Sequence, residues 1–502
     1  MTRRPITLPD AVRETLAVAL TLAPEEAYLV GGSLRDALLV RPTADLDLAA
    51  RGGAITLARA LADRLGGHFV ELDAERGIAR VALGEGPVRT VDVATLRGDI
   101  VADLGRRDFT IDALAVRLAD TLSDEAEVLD PHGGLGDLAS GTVRLVSEEA
   151  LREDPLRLLR AVRLAVQLDF AIAPETEEAV RRHAALVLQA AAERRRDELV
   201  HCFATDRAAV ALRSLDRLGL LDELLPEVTA GRGVEQPKEH AYDVFDHAIE
   251  AVAALDFLLA DREPEGGREA SFRRAFWEAL AVAPGLRVHL AEEVSEGRSR
   301  ATLLKLATLL HDVAKPETRA PDDTGRIRFF GHAERGAEIA RDVMQRYRFS
   351  RREGELVATM VDEHLRPTQL GHEALPTRRA LYRYYRDTGE AAESVLLLSL
   401  ADAYSARGPE MSLEAWRGYV AYIAHVLARR DEDPAVARPV RLVTGEDVMA
   451  ALGIAPGPAV GHLLAAIEEA QAAGEIAGRE EALDLARRLH GHAHAMPAGA
   501  LK

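Results

Sequence analysis

A single cysteine, Cys202, stands among 502 residues. It excludes an intrachain disulfide and any thiolate metal cluster, and it points to a reducing compartment. Long apolar runs are missing too. No stretch approaches the roughly 18 uncharged apolar residues a membrane-spanning helix needs. Arg3 and Arg4 could open a signal peptide, but Pro5, Pro9, Asp10 and Glu14 interrupt whatever would follow. A cytoplasmic chain with no membrane partner is expected. Aromatic residues are scarce at 4%, whereas charged residues reach 29%, many in long Ala/Leu/Arg/Glu stretches. Such residues lose little entropy in helices, so the protein should be mostly helical. Basic residues number 63 against 82 acidic ones, a net charge of −19. That deficit argues against a broad phosphate-binding surface. Arg152, Arg157, Arg160, Arg163, Arg181, Arg182, Arg194, Arg195 and Arg196 nevertheless lie close together in the chain. They form either a local basic track or ion pairs on exposed helices.

The length exceeds the roughly 250 to 300 residues at which single cores stop growing, and an apolar content of 48% is ample for several cores. Short β-like runs (AYLVG, HFVEL, ARVAL, VRTVDVATL, TVRLV) mix with helical ones in residues 1–140 and are confined to the first 150, as in a small α+β domain with a mixed sheet. Residues 141–235 read as helical, with Leu158, Leu159, Val162 and Val166 on one side and Arg157, Arg160 and Arg163 beside them. Helix breakers between Pro226 and Glu239 mark a boundary. A second helical block spans 236–410, interrupted by the polar segment Asp261 to Gly267. A last helical module spans 411–502, with turns at Gly453 to Pro458 and at Gly474.

The chemistry begins at YLVGGSLRDALLVRPTADLDL, from Tyr28 to Leu48. It reads as strand, phosphate-binding turn, helix and strand. Alternate residues of a strand share a face, so Asp45 and Asp47 point together while Leu46 and Leu48 point inward. Two such carboxylates make half of a Mg²⁺ site. Gly31 and Gly32 let the backbone approach a polyphosphate, and the helix N–H groups that follow favour anionic oxygens. Asp92, in VRTVDVATL, could add a third carboxylate. Singly, each motif is as readily a solvated strand face or a tight turn; in this order they point to nucleotidyl transfer.

Downstream, RRDFTIDALA sets Arg107, a planar phosphate donor, beside Asp108. In EDPLRLLRAVR, Asp154 and Arg157 stand three apart in what reads as one helix face, with Pro155 in its first turn. An acceptor beside a donor matches the edges of cytosine and adenine, which carry an exocyclic amine next to a bare ring nitrogen. Such a pair accepts CTP and ATP and rejects UTP and GTP. Alone, it could also be a surface ion pair.

Taken in order, GGSLRD, DLDL, RRDFTIDALA, EDPLRLLRAVRLA and ERRRDEL resemble the successive motifs of class II tRNA nucleotidyltransferases, the family of CCA-adding enzymes and bacterial poly(A) polymerases. The resemblance covers residues 1 to about 225, and the tail from TGEDV onward resembles the carboxy-terminal module of many members. It implies that Asp45 and Asp47 hold two Mg²⁺ ions and that Gly31, Gly32, Ser33 and Arg35 line the triphosphate pocket. Arg107 and Asp108 would contact ribose and phosphate. Glu153, Asp154 and Arg157 would form the base-reading template, with Arg160 beside them, and Glu193, Arg194 and Glu198 would buttress its helix. The implied partners are CTP, ATP and the tRNA 3′ end.

Three positions depart from the family pattern. Asp112 replaces the usual Asn, Ala192 replaces a Ser, and only eight residues separate Arg97 from Arg106. Full CCA-adding members carry a longer loop there, and CC-adding members are marked by its shortening. Part-addition of the triplet is therefore expected, with poly(A) synthesis as the alternative within the family.

A second constellation comprises His247, the adjacent His311 and Asp312 in LLHDVAKPET, His332, His364 and Asp402. Imidazole and carboxylate ligands suit Mn, Fe, Co, Ni or Mg. The order resembles a two-metal HD-type phosphohydrolase domain, with Lys315 placed to meet a phosphate. This leaves a third reading, in which the HD site carries the main activity and the amino-terminal domain only binds RNA.

Overall fold

The computed structural model of the chain describes residues 2–23, 26–123, 125–237, 241–260, 266–370, 375–437 and 439–495. The end of the expected 226–239 break, most of the polar segment 261–267 and the last residues of the tail lie outside them. Two units emerge: Met1–Cys202 with Ser214–Leu224, and Phe203–Arg213 with Leu225–Lys502.

The first unit is built on a mixed sheet of eight strands: β1 (Thr2–Pro5), β2 (Ala27–Val30), β3 (Asp45–Ala50), β4 (His68–Asp73), β5 (Ile78–Ala82), β6 (Thr90–Thr95), β7 (Ala115–Arg117) and β8 (Glu125–Leu129). Their order is β1-β8-β7-β2-β3-β6-β5-β4. Only β3 and β6 pair in parallel. Leu46 and Leu48 on β3 and Val91 and Val93 on β6 are buried, each burial contributing about 1.5–3 kcal/mol. Helix α2 (Ala54–Leu65), which packs on β5 and β6, buries Leu57, Ala58, Leu61 and Ala62. Sealing one face leaves the alternate residues of β3 and β6 on the other. Helix α1 (Gly31–Leu38) starts directly at the end of β2. Beyond the sheet, the short helix Glu149–Glu153 precedes α3 (Arg157–Leu168) and α4 (Ala192–Phe203).

The mixed sheet followed by helices agrees with the sequence reading, but strands are not confined to the first 150 residues. Ala171–Ile172 pairs with Thr142–Val143, and small hairpins join Glu293–Ser295 to Arg298–Ser299 and Ala320–Pro321 to Ile327–Arg328. Pairings of two or three residues are too short for a period-two pattern to register. The same brevity hid β7, which has three residues.

In the second unit α5 (Val244–Leu259), α6 (Arg300–Leu310), α7 (His332–Arg346), α8 (Arg351–Asp362) and α9 (Ala392–Arg407) form a bundle. Helix α6 packs on α5, α8 and α9 and is buried nearly all round, as a central helix must be. Its one lysine, Lys305, is neutralised by Asp256 at 2.6 Å. His311 and Asp312 follow directly at its end, inside the bundle. Three tail helices, Gly445–Leu452, Pro458–Ala473 and Arg479–Ala495, close around Val448, Ile467, Ala482 and Ala486. No helix among the described residues is long and apolar enough to cross a membrane.

Between α1 and β3 the chain turns through Val40 at φ 55°, with the side chain 71% exposed. A β-branched residue in the left-handed region is strained and here has no packing to offset the cost. Val40→Gly should stabilise the protein by about 1 kcal/mol, read as a higher denaturant midpoint. An unchanged or lower midpoint would contradict this.

Candidate active site and metal cage

The register of β3 on β6 sets Asp45 beside Thr90 and Asp47 beside Asp92. Thr90 Oγ1 donates to Asp45 Oδ1 at 2.7 Å. Asp47 and the start of α1 interlock: Ser33 N donates to Asp47 Oδ2 at 3.3 Å, and Asp47 N donates to Ser33 Oγ at 3.0 Å. Gly31, at φ 66°, permits this approach. A methyl group there would lie 2.9 Å from Asp47 Oδ2 and 3.0 Å from Arg107 Nη1. Burial pushes Asp47 up to about 6 against the pull of Arg107, and Asp92 and Asp112 add to the rise. A half-buried carboxylate next to two further carboxylates favours a cation, so this face fits Mg²⁺. Asp92 shares the face, with both of its oxygens held by Arg80, at 2.7 and 2.8 Å.

Arg35 is engaged by two acids. Its Nη1 pairs with Asp112 Oδ1 at 2.8 Å and its Nε with Asp36 at 2.9 Å. The pair is buried, and Asp112 is raised by that burial despite Arg35. Gly32 lies against the same guanidinium. Asp108 is buried too; burial opposes its charge, but Arg160 Nη1 at 2.8 Å holds it below the usual carboxylate range.

Asp154 and Arg157 do not share a helix as expected. Asp154 caps Glu149–Glu153 with extended backbone (φ −143°, ψ 96°), and α3 begins only at Arg157. The preference of a residue before proline for extended backbone accounts for the break. Arg194 Nη1 and Nη2 reach the two Asp154 oxygens at 3.2 and 2.8 Å and, against the opposing effect of burial, keep that carboxyl low. Arg157 donates to the carbonyls of Ala150 and Arg106 at 3.1 and 3.0 Å. Glu198 accepts from Arg163 at 2.6 Å and from Arg160 at 3.5 Å. Helix α4 thus clamps both the break and α3, while Glu153 and Glu193 are exposed. The clustered arginines are largely spent on acids: Arg152 on Glu149, Arg181 on Glu177, and Arg182 on Glu148 and Glu178. Of the two readings of that cluster, ion pairing describes these.

In the second unit His247, His311 and Asp312 form one three-ligand group, and Asp312, His332 and His364 form another. Asp312 Oδ2 faces His311 Nε2 (3.2 Å) and His247 Nε2 (3.5 Å); Oδ1 faces His332 Nε2 (3.4 Å) and His364 Nε2 (3.8 Å). Asp402 Oδ1 is 3.1 Å from His247 Nε2. The Nδ1 atoms of His311, His332 and His364 sit 2.6–2.7 Å from the carbonyls of Thr308, Phe329 and Val361. A carbonyl only accepts, so each Nδ1 carries a proton and each Nε2 is the ring atom turned inward; burial keeps His332 and His364 neutral, with a lone pair on that atom. Facing lone pairs 3.4 Å apart on His332 and His364 call for a cation between them. Lys315 Nζ lies 2.6 Å from Asp312 Oδ2, yet neither Asp312 oxygen receives a well-aligned hydrogen bond. The donor set fits divalent metal, and Asp312 belongs to both three-ligand groups. Burial pushes His364 down to about 3. Burial also opposes charge on His311, but Asp312 and Asp402 push it up to about 10. A cleft of about 620 Å³, lined by Lys315, Thr368, Arg407 and Tyr419, opens onto the cage.

Three family models match successive parts of the chain. Residues 27–144 match the poly A polymerase head domain, 169–231 the probable RNA and SrmB-binding site of polymerase A, and 280–407 the HD domain. The A-adding tRNA nucleotidyltransferase of Deinococcus radiodurans is 37% identical over 93% of this chain and 96% of its own. The chain belongs to the class II tRNA nucleotidyltransferase and poly(A) polymerase family. A CC-adding member from Thermus thermophilus is also 37% identical, over 91% of this chain and 92% of its own. A solved CCA-adding enzyme in complex with ATP shares the fold, with a TM-score of 0.63 and 19% identity over 98% of this chain and 100% of that one.

Within this tRNA nucleotidyltransferase, the sequence did not disclose Thr90, Arg80 or Gln236, whose Oε1 accepts from Lys315 at 2.6 Å. Thr90 and Arg80 are set by strand register, which no local motif carries. His247 lies outside the segment matched to the HD domain, yet it completes the cage.

Folding raises the Asp47 pKa from its ordinary 3.8 to about 6. The stabilisation that goes with this shift is therefore complete below the unfolded value and lost as pH climbs through the folded one. At pH 7 without metal, Asp47→Asn should stabilise the amino-terminal unit by on the order of 2 kcal/mol. The gain should vanish in acid, and Mg²⁺ should stabilise only the wild type. Melting curves across pH check this, and parallel pH slopes for the two proteins would refute it.

Proposed function

We propose that this tRNA nucleotidyltransferase adds part of the CCA triplet, two cytidines from CTP, to the tRNA 3′ end in the cytoplasm. The observation carrying this is the connection from β6 to Arg106. It holds only one short helix, Ile100–Leu104, capped by Asp99 (Oδ1 to Ala102 N, 2.8 Å), with Leu104 buried. So compact a segment leaves no long loop to switch the template from C to A. A-only addition is the second reading, favoured by the Deinococcus relative.

In this reading residues 1–140 are the catalytic head, 141–235 the neck, 236–410 the HD domain and 411–502 the carboxy-terminal module. Asp45 and Asp47, with Asp92, would hold two Mg²⁺ ions. Bound there, Mg²⁺ lowers the pKa of the RNA 3′-hydroxyl and offsets charge on departing pyrophosphate. Ser33 and the opening N–H groups of α1 would meet the triphosphate, and Arg107 would add a cation beside it. Arg157 keeps three of its five N–H donors for a base edge; Asp154 Oδ1 also accepts from Leu156 N at 3.2 Å, which leaves Oδ2 as the oxygen with a second lone pair for the base. Held in place by Arg194, they form a preset template. The HD cage supports a second, metal-dependent phosphohydrolase activity, with Lys315 toward the phosphate.

Product sizing on tRNAs ending in the discriminator base, in C and in CC, with each labelled NTP, decides among these. Two cytidines on the first substrate and nothing on the third are expected. A single adenosine on the third alone would give the A-adding reading, and long ATP-only tails a poly(A) polymerase. Asp45→Ala should abolish incorporation; retained incorporation would overturn the mechanism. Metal analysis should find two cage ions, with Asp312→Asn losing both and His364→Ala only one. Equal loss in the two variants would contradict a bridged pair.

A further inference from the structure

The register aligns three charged residues in one row across the sheet: Arg80 on β5 opposite Asp92 on β6, and Asp92 beside Asp47 on β3. They share the face that carries Asp45. The Arg80 guanidinium meets the Asp92 carboxylate as a two-pronged fork, Nε to Oδ1 at 2.7 Å and Nη2 to Oδ2 at 2.8 Å. A carboxylate held this way has its best-directed lone pairs occupied, so it cannot take a divalent ion in the same plane without giving up one prong. Arg80 also feels Asp45 and Asp47. Its side chain is 44% exposed, so it can swing toward solvent without disturbing the core. An ion pair this exposed is weak enough for a divalent cation to displace it.

We propose that Arg80 is a placeholder cation: it occupies Asp92 in the free enzyme and is exchanged for Mg²⁺ when the metal–nucleotide complex arrives. This rests on the reading of Asp92 as a ligand of the head-domain metals. Arg80 is thus a positioning residue that sets the Mg²⁺ concentration at which the head becomes competent. Released, its donors lie one strand from Asp92, within reach of anionic oxygens entering the site. An ordinary cross-strand ion pair would have no such link to the metal.

The test is equilibrium dialysis of labelled CTP against the full-length protein across a Mg²⁺ series, for wild type, Arg80→Gln, Arg80→Lys, Asp92→Asn and the Arg80→Gln/Asp92→Asn double variant. Arg80→Gln should lower the half-saturating Mg²⁺ about threefold. Arg80→Lys, which keeps the charge but loses the fork, should fall between. Arg80→Gln should have no further effect in the Asp92→Asn background. An equal shift in that background would mean that Arg80 acts only as a nearby charge. No shift at all would mean a structural ion pair. Either result overturns the proposal while leaving Asp92 as a ligand. Wild-type CTP binding and incorporation in Asp92→Asn would instead remove the reading on which the proposal stands.

Discussion

The head depends on one constraint: carboxylates must be held close together on the open face of a sheet whose other face is sealed. Like charges repel, and Asp47 is partly removed from water, so its ionised form is costly until a cation arrives. The fold tolerates this because Leu46, Leu48, Val91 and Val93 anchor the same strands on the far side. The interlock between Asp47 and Ser33 fixes the geometry, and Gly31 is the residue that lets the backbone come so near.

The histidine cage solves the same problem differently. It sits at the end of a helix buried nearly all round, and its imidazoles are locked by backbone carbonyls into the tautomer that presents Nε2 inward. Neutral ligands reduce the repulsion, leaving Asp312 as the shared charge. The strand-borne carboxylates of the head are the more open set, Asp45 being exposed where Asp312 is buried.

What could be read from the sequence follows the range of each interaction. The glycine pair and the alternating aspartates are local patterns; the histidines are spread from 247 to 364 and were legible only through their order, and the structure gathers them around Asp312. The helical span read across Asp154 failed because Pro155 favours extended backbone in the residue before it, and Asp154 is held instead by Arg194, forty residues away. Arg80 and Thr90 were hidden because strand register is a property of the whole sheet. Asp112, a departure from the family pattern, proves to be the partner of buried Arg35. That pairing gives the substituted residue a structural role beside the site.

In the proposed mechanism Asp45 and Asp47 form the metal-holding floor of the nucleotide site. Crystals grown with Mn²⁺ and CTP, examined by anomalous scattering, test it most directly. Manganese peaks within coordination distance of both carboxylates, with the triphosphate against the start of α1, are expected. Well-ordered nucleotide in the head with no manganese at either aspartate would contradict it.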